Sequence, residues 1–311
     1  MSVRVAIVQE KAVFLNAPKT LEKVLHLLDE CGKQKAELAV FGESWFSGYP
    51  AWLDYCVDYA RWDHEPSKEV FSKFHKSSIT VPGKETNAIA KKAKEHGLTL
   101  VIGVNERVDE GPANGTVFNS LLTFGPDGEI LNHHRKLMPT YTEKLLYGTG
   151  DGAGLKSVET SFGKLSGLIC WEHWMPLARQ TMHNSGEHIH VAVWPTVHEM
   201  HQVCSRHYAF EGRCYVIAVG LILQVKDLPQ ELELVESLKN KPEEMILKGG
   251  SCIIAPNGKY LLEPQFEKMG IITYEIEDTD DVFKERMTLD TTGHYQRADV
   301  FQLDVNKKRL A

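Results

Sequence analysis

The stretch SGLICWEHWMPLA, residues Ser166 to Ala178, places a cysteine at the end of an apolar run. Leu168 and Ile169 are typical of the end of a buried strand, and Pro176 opens a helical segment. Between them, Cys170 is followed at once by tryptophan, glutamate and histidine. Cysteine is most often a small, inert core residue. Taken alone, Cys170 is therefore either a packing residue or a nucleophile held at a strand-to-helix turn.

Strand-like and helix-like segments alternate on both sides of this stretch. Each half of the chain predicts the order strand, helix, strand, helix, strand, hairpin, which indicates an α/β fold with an internal pseudo-repeat and helices covering the sheets. Turn sequences Gly125-Pro126-Asp127-Gly128 and Ala255-Pro256-Asn257-Gly258 mark the two hairpins. The predicted strands are Val3–Gln9, Leu38–Phe41, Leu98–Val104, Asn119–Phe124, Glu129–His133, Leu165–Ile169, His190–Trp194, Cys214–Val219, Ser251–Ile254, Tyr260–Leu262 and Val300–Val305. The predicted helices are Thr20–Gln34, Thr86–His96, Leu177–Ser185 and one that ends over Tyr208–Gly212.

No composition shift or flexible linker divides the two halves. We therefore expect one domain over residues 1–311, with a core at about 3–280 and a C-terminal strand and tail at 281–311. The charged segment Lys226–Lys248 is predicted to be a surface insertion.

The composition is that of a soluble globular protein, with 42% hydrophobic and 25% charged residues among 311. The net charge of −7 is spread without a basic block, which argues against nucleic acid or an anionic membrane surface as the main partner. No window approaches the roughly 18 apolar residues of a membrane span, and MSVRVAIVQE does not resemble a secretory signal. The six cysteines are scattered without a CxxC, so we expect a reduced, cytoplasmic protein.

Two further stretches place charged residues at predicted strand ends. VFGESWFSGYP puts Glu43 just after the strand that ends at Phe41, at the sheet edge where α/β proteins bind ligands. HHRKLMPTYTEKLLYGTGDG, residues 133–152, holds Lys136 and Glu143. Each has a plainer interpretation: a helix cap or surface carboxylate for Glu43, and a solvated loop for residues 133–152.

Together with Cys170, these residues supply what a thiol nucleophile needs. A free thiol has a pKa of about 8.5, so a carboxylate can serve as its base and an ammonium can stabilise the anion that forms. Glu43, Lys136 and Cys170 each follow a predicted strand, so their side chains can converge at one edge of a layered fold. A helix beginning just after Cys170 would add backbone N–H donors and a favourable dipole.

At these residues the sequence resembles the nitrilase superfamily of carbon–nitrogen hydrolases, over nearly the whole chain. FGESWFSGYP, HRKLMPT and GLICWE match the three family motifs in the family's order. The resemblance implies an α-β-β-α sandwich and a catalytic triad of Glu43, Lys136 and Cys170, with Glu143 as a further catalytic glutamate that positions Lys136 and the substrate. Two other family patterns match Glu211-Gly212-Arg213 and the stretch from Gly293 to Val305.

Several details favour the branch of the family that hydrolyses nitriles. Trp171 and Glu172 follow the cysteine, where amidases of the family tend to have tyrosine and aspartate. Glu143 lies seven positions after Lys136, one fewer than in similar aliphatic amidases. LYGTGDG and Trp194-Pro195-Thr196 point the same way. The resemblance implies hydrolysis of a nitrile to a carboxylic acid and ammonia, with two waters, no cofactor, and thioimidate and thioester intermediates.

The triad alone leaves other activities open. An amidase or N-carbamoyl amide hydrolase uses the same three groups, and cyanide-converting enzymes are close relatives. A non-catalytic scaffold is disfavoured because it has no need of three converging reactive groups. A metal site is disfavoured because His198 and His201 are three positions apart rather than the four of HExxH, and because the adjacent His133 and His134 point to opposite faces of a strand.

The motifs also suggest pocket residues and an assembly. The backbone N–H of Trp171 is a candidate second donor to the intermediates. The remaining candidate pocket residues are Tyr49, Trp52, Tyr141, Trp171, Glu172, His173 and Trp194. Core packing is the alternative for the aromatic ones, and capping of the following helix is the alternative for Glu172 and His173.

Family members dimerise through helices on one sheet face to give a four-layer sandwich, so we expect a homodimer or a larger homo-oligomer.

Overall fold

The structure is a computed structural model that describes residues 1–310, and its strands form two mixed sheets. The first sheet has the spatial order β13 (Gly270–Ile276), β1 (Val3–Gln9), β2 (Leu38–Phe41), β3 (Thr99–Arg107), β4 (Val117–Phe124) and β5 (Ile130–Arg135). The second has the order β10 (Ile222–Gln224), β11 (Met245–Ile254), β9 (Tyr215–Val219), β8 (Ile189–Val193), β7 (Gly163–Ile169) and β6 (Val158–Thr160). A further strand, β12 (Tyr260–Phe266), pairs with β11.

The two sheets repeat one pattern of strand pairing. In the first sheet, β1, β2 and β3 are parallel, and β3, β4 and β5 then pair antiparallel. In the second, β7, β8 and β9 are parallel, and β9, β11 and β12 then pair antiparallel. Strand β13 returns to the first sheet and pairs antiparallel with β1. The pairing therefore agrees with the pseudo-repeat predicted from the order of elements.

The helices begin and end at local sequence signals. They are α1 (Ala17–Lys33), α2 (Trp52–Tyr55), α3 (Glu65–Ser77), α4 (Lys84–His96), α5 (Pro176–Asn184), α6 (Glu199–Gly212) and α7 (Val282–Arg286). The Asn16 side chain accepts a hydrogen bond from the Lys19 N–H at the start of α1, and Gly97 ends α4 with a φ of 62°. Within residues 1–310, no helix combines the length and apolarity that crossing a membrane requires.

Each sheet packs one face on the other sheet and covers its opposite face with helices. Val5 and Ile7 of β1 share a core with Leu168 of β7, whereas Ala6 and Val8 of β1 share another with the helices on the outer face. Helices α5 and α6 cover the outer face of the second sheet, and α1, α3 and α4 cover that of the first. The predicted α-β-β-α sandwich is confirmed.

Two local predictions from the sequence are wrong. Residues 300–305 form no strand: Phe301 is exposed, and no described strand pairs with this segment, so its apolar pattern finds no ladder to join. The segment Lys226–Lys248 is not a plain surface insertion, because Leu232 and Leu238 are buried in the outer core of the first sheet and β11 begins at Met245. The sequence pattern misses these two features because both depend on distant partners.

Candidate active site

Three charged side chains meet at the ends of strands of the first sheet. Glu43 follows β2, Lys136 follows β5, and Glu143 lies in a 3₁₀ turn, Tyr141–Leu145. The Lys136 ammonium is 2.9 Å from Glu43 Oε1 and 2.7 Å from Glu143 Oε2. All three side chains are buried. The lysine therefore bridges two carboxylates in a water-excluded site, where its charge acts with little screening.

The two carboxylates differ in how their oxygens are satisfied. Glu143 Oε1 accepts from the Tyr49 hydroxyl at 2.9 Å, and its Oε2 accepts from the Thr140 N–H at 2.8 Å in addition to Lys136. Glu43 Oε1 accepts from Asn119 Nδ2 at 2.8 Å, but its Oε2 has no hydrogen-bond partner among residues 1–310. Of the two carboxylates, Glu43 alone keeps an oxygen available to accept a proton.

Burial and neighbouring charge set the protonation of this cluster. Burial raises the pKa of Glu43 to about 7, and Lys136 and Asn119 act in the opposite direction. Burial lowers the pKa of Lys136, but the negative charges of Glu43 and Glu143 and the hydrogen bond to Glu143 outweigh it and hold that pKa well above its usual value. The lysine is thus a permanent cation, and Glu43 is balanced between its acid and its carboxylate near neutral pH.

Cys170 lies directly after β7 and belongs to the same cluster. Burial, followed by the charge of Glu43, raises the pKa of the thiol well above its usual value. Lys136 and the backbone N–H of Trp171 act against this rise. The thiol is therefore neutral at rest and needs a base. The helix expected just after Cys170 begins only at Pro176, because a 3₁₀ turn, Cys170–Trp174, comes first.

The backbone around the cluster is strained. Ser44, Ser47, Tyr141 and Cys170 all adopt the left-handed region, with φ of 47°, 70°, 45° and 49°. Such conformations cost roughly 1 kcal/mol or more for residues other than glycine, and they concentrate at functional sites. Gly150 packs directly on the Lys136 peptide, where a Cβ would overlap the carbonyl oxygen. This crowding fixes the direction from which each reactive side chain enters the site.

Glu172 ties the two sheets together and does not line a pocket. Its Oε1 accepts from the Leu137 N–H and its Oε2 from the Ile169 N–H, both at 2.7 Å, while His134 Nε2 lies 2.9 Å from Oε2. Burial raises the pKa of Glu172, but His134 and the two N–H donors outweigh it and lower that pKa. Glu172 caps the 3₁₀ turn Cys170–Trp174 and not α5, the helix considered for it from the sequence.

The remaining predicted pocket residues separate into exposed and core positions. Tyr141 is 83% exposed and Trp171 is 47% exposed, and both flank the cluster in the chain. Trp52 and Trp194 are fully buried in the cores: Trp52 packs on Phe14, and Trp194 donates to Ser205 Oγ. Their pocket role stays a prediction, with core packing as the alternative. The other three predicted pocket residues are hydrogen-bonded to groups of the site. Tyr49 contacts Glu143, and His173 contacts the backbone of Cys170. Glu172 contacts the backbone of Leu137 and Ile169.

Sequence reasoning missed one side chain that contacts the cluster and one that contacts Glu172. Asn119 donates to Glu43, and His134 is hydrogen-bonded to Glu172. The sequence holds a signal for Asn119, because an amide inside a buried, mostly apolar strand needs a buried partner. No group of histidine, cysteine or carboxylate side chains suited to a metal ion occurs in the described part of the chain.

A buried thiol beside a lysine and two carboxylates, carried by a two-sheet sandwich, is typical of a class of hydrolases with the α-β-β-α architecture. The carbon-nitrogen hydrolase family matches residues 4–281. The aliphatic nitrilase of Sinorhizobium fredii (strain HH103) is 35% identical over 98% of this chain and 96% of its own. The bifunctional nitrilase/nitrile hydratase NIT4A of Lupinus angustifolius is 35% identical over 98% of this chain and 86% of its own.

Similarity to solved structures agrees with the fold. The carbon-nitrogen hydrolase from Helicobacter pylori G27 superposes with a TM-score of 0.70 at 21% identity, covering 96% of this chain and 97% of its own. The chain belongs to the carbon–nitrogen hydrolase family, the nitrilase superfamily that its motifs predict, and it is a hydrolase acting on carbon–nitrogen bonds.

Proposed function

We propose that this protein is a nitrilase, which hydrolyses an organic nitrile to a carboxylic acid and ammonia without a cofactor. The observation that carries the mechanism is the buried cluster in which Lys136 bridges Glu43 and Glu143 beside the Cys170 thiol. The nitrile substrate is supported by the two relatives named nitrilase, each 35% identical over 98% of this chain.

The first step adds the thiol across the nitrile. Glu43 takes the proton of Cys170 on its unpartnered oxygen while the sulfur attacks the nitrile carbon. Because the thiol pKa is raised far above that of Glu43, free thiolate is scarce, and proton transfer accompanies formation of the carbon–sulfur bond. Glu43 passes the thiol proton on to the nitrile nitrogen and becomes a carboxylate again, and the product is a thioimidate on Cys170.

Two waters then complete the reaction. Glu43 accepts a proton from the first water as its oxygen adds to the thioimidate carbon, and passes that proton to the nitrogen, which gives a neutral tetrahedral adduct. Glu43 then moves the proton of the new hydroxyl group to the nitrogen as well, so the carbon–nitrogen bond breaks, the carbonyl forms and ammonia leaves. A thioester remains on Cys170. The second water is activated in the same way, breaks the carbon–sulfur bond, and releases the carboxylic acid and the thiol.

Lys136 and Trp171 stabilise the charged intermediates of this scheme. The Lys136 ammonium balances the negative charge of the tetrahedral species, and the Trp171 N–H that favours the Cys170 thiolate is a second donor. Glu143, whose oxygens already accept from Tyr49, Thr140 and Lys136, holds the lysine in place rather than acting as the base.

Release of the amide is a second outcome of the same chemistry. If the tetrahedral adduct of the first water expels the sulfur instead of ammonia, the product is the amide. The relative named bifunctional nitrilase/nitrile hydratase makes this product worth measuring. Amidase, N-carbamoyl amide hydrolase and cyanide-converting activities use the same groups and are the alternatives.

We also propose that residues 1–311 form one carbon–nitrogen hydrolase domain and that two copies assemble through α5 and α6. Exposed apolar side chains lie on these helices, namely Leu177, Met200, Val203 and Phe210. A cytoplasmic location is supported by the six cysteines, all of which are free. The partners in the reaction are the nitrile and water.

The test is a product assay on aliphatic, aromatic and arylacetonitriles, their matching amides, an N-carbamoyl amide and cyanide. Ammonia and acid are measured for the wild type and for Cys170→Ala, and amide is measured beside them. The proposal expects acid and ammonia from at least one organic nitrile, with no release by Cys170→Ala. Activity confined to amides, N-carbamoyl amides or cyanide would overturn the nitrilase proposal.

A further inference from the structure

A buried chain of hydrogen bonds runs from the backbone of the nucleophile to Glu187, just before β8. His173 Nδ1 donates to the backbone carbonyl oxygen of Cys170 at 2.8 Å. His173 Nε2 is 3.0 Å from His190 Nε2, and His190 Nδ1 is 2.9 Å from Glu187 Oε2. All three side chains are fully buried. Both ring nitrogens of His173 are thus occupied by groups of the protein, so neither is free to bind a substrate.

The position of the His173 ring is fixed on several sides. Its centroid lies 4.7 Å from that of Trp194 and 5.7 Å from that of Tyr208. Its own carbonyl oxygen accepts from Arg179 Nη1 at 3.1 Å. A buried ring packed in this way presents its Nδ1 in one direction only, toward the Cys170 carbonyl.

Cys170 needs such support because its backbone is strained. A φ of 49° is unfavourable for cysteine, and rotating this peptide would turn the side chain away from Glu43 and Lys136. A hydrogen bond to the Cys170 carbonyl holds the peptide in the strained orientation and therefore aims the sulfur. We propose that His173 is a positioning residue for the nucleophile and that His190 and Glu187 hold its ring in place. The inference rests on the proposed function only where turnover is the readout.

Ser166 and Glu187 complete this chain behind His190. The Cys170 carbonyl only accepts, so His173 Nδ1 carries a proton and its Nε2 faces His190 Nε2. His190 Nδ1 is 2.9 Å from Glu187 Oε2 and 2.8 Å from Ser166 Oγ, which itself donates to Glu187. Burial lowers the pKa of both rings, that of His173 well below its usual value, although the Glu187 carboxylate acts in the opposite direction on both. The contacts to Ser166 and Glu187 thus hold the ring of His190, which in turn supports the ring of His173.

Two substitutions at position 173 test the contacts of Nδ1 and Nε2 separately. Asn places its amide N–H near the position of Nδ1, so His173→Asn keeps the donor to Cys170 and loses His190. Gln reaches toward His190 and loses the Cys170 carbonyl. We expect His173→Asn to lower kcat by roughly threefold and His173→Gln by roughly 100-fold, with KM within about threefold for both, because small misplacements of a reacting group cost this much.

The second readout does not need a nitrile substrate. The rate of Cys170 alkylation by iodoacetamide, followed by mass spectrometry of the Cys170 peptide, reports how the sulfur is presented. We expect His173→Gln to change this rate by about tenfold or more and His173→Asn by less than about threefold. If the wild type hydrolyses no nitrile but the alkylation rates differ in this way, the proposed function fails and the positioning role stands.

His190→Asn is the variant to use if His173→Gln does not fold. It leaves the bond from His173 to Cys170 intact and removes the support behind the ring, so kcat should fall by roughly 5- to 10-fold at unchanged KM. Unchanged kcat and alkylation in a folded His173→Gln or His190→Asn would overturn the proposal. Equal losses in His173→Asn and His173→Gln would also overturn it, since only the Gln variant lacks the donor to Cys170.

Discussion

At the scale of single residues, the unpartnered oxygen of Glu43 distinguishes the two carboxylates beside Lys136. Glu143 is saturated by three donors, whereas Glu43 Oε2 has none in the described part of the chain. A buried oxygen without a hydrogen-bond partner lowers stability, so its presence needs a functional explanation. Here the explanation is that Glu43 accepts and returns a proton, for which a pKa of about 7 is suitable.

The first prediction concerns the acid limb of the pH–rate profile. Glu43 must be a carboxylate to act as the base, so kcat/KM should fall about tenfold per pH unit once the pH drops below the raised pKa of about 7. Asn119→Leu removes a donor that favours the carboxylate, so the limb should move to higher pH. Steady-state rates between pH 5 and 9, measured about every half pH unit, would give the position of the acid limb for the wild type and for Asn119→Leu.

Asn132→Leu is the matched control for this prediction. It also removes a buried amide from a neighbouring strand, but Asn132 donates to the Gly154 carbonyl at 2.9 Å and does not contact Glu43. Its acid limb should coincide with that of the wild type. A wild-type profile with no acid limb between pH 5 and 9, as a glutamate with the usual pKa of about 4.3 would give, would contradict the role given to Glu43.

At the scale of elements, Glu172 fixes the ends of β5 and β7 relative to each other. The two N–H groups that it accepts belong to Leu137 and Ile169, which are the chain neighbours of Lys136 and Cys170. The carboxylate therefore sets the spacing between the cation and the nucleophile, although it contacts neither side chain through a hydrogen bond.

The second prediction is that Glu172→Gln weakens both stability and turnover. A carboxamide has one accepting oxygen, so its NH₂ group would face one of the two backbone N–H donors. We expect the free energy of unfolding to fall by about 1–3 kcal/mol and kcat to fall about tenfold or more. Urea unfolding and initial rates test this, with the exposed Glu110→Gln as control. Wild-type stability in Glu172→Gln would contradict the clamp.

Glu106 is the corresponding link within the first sheet. It lies on β3 and accepts from Ser120 on β4 and from His133 and Arg135 on β5, each at 2.6 Å. Burial raises the pKa of Glu106, but the hydrogen bonds from His133 and Arg135 outweigh it and lower that pKa to about 2. Strand β5, which delivers Lys136, is therefore held by an ionised carboxylate.

The third prediction is an acid-sensitive contribution of Glu106 to stability. Because its folded pKa lies below the unfolded value of 4.5, its contribution is present above pH 4.5 and is lost as the pH falls toward 2. The loss amounts to roughly 3 kcal/mol. Urea unfolding at several pH values in this window should show a shallower pH dependence for Glu106→Gln than for the wild type. Identical slopes would contradict the assignment.

The sequence predicted the elements that carry the reactive residues because each strand there is a short apolar run with a polar motif at its end. Leu38–Phe41 and Leu165–Ile169 are such runs, and the observed strands agree with them. The sequence did not predict the clamp of Glu172 or the chain behind His173. Both depend on which side chains from distant strands meet in the core, and no local periodicity encodes those pairings.

At the scale of the whole molecule, α5 and α6 leave apolar side chains uncovered, and the proposed four-layer assembly would cover them. Met200, Val203 and Phe210 recur on α6 at helical spacing and are all exposed, and Leu177 on α5 is exposed as well. Apolar side chains grouped on one helix face are typical of a protein interface. The same two helices cover the sheet that carries Cys170.

The fourth prediction is that the wild type is a dimer or a larger oligomer and that Val203→Glu shifts it to monomer. Burying an unpaired carboxylate in an apolar interface costs several kcal/mol, enough to dissociate a micromolar dimer. Sedimentation velocity measures the change. Val57→Glu, at an exposed apolar position outside α5 and α6, should keep the wild-type mass. A monomeric wild type would contradict the proposed assembly.

The most direct test of the account is to find which sulfur carries the reacting carbon. Wild-type protein turning over a nitrile is quenched in acid and digested, and the masses of the peptides that contain the six cysteines are measured. The account predicts a thioimidate or thioester mass on the Cys170 peptide alone, and no ammonia release by Cys170→Ala. Ammonia release that persists without Cys170, or an adduct on a different cysteine, would contradict it.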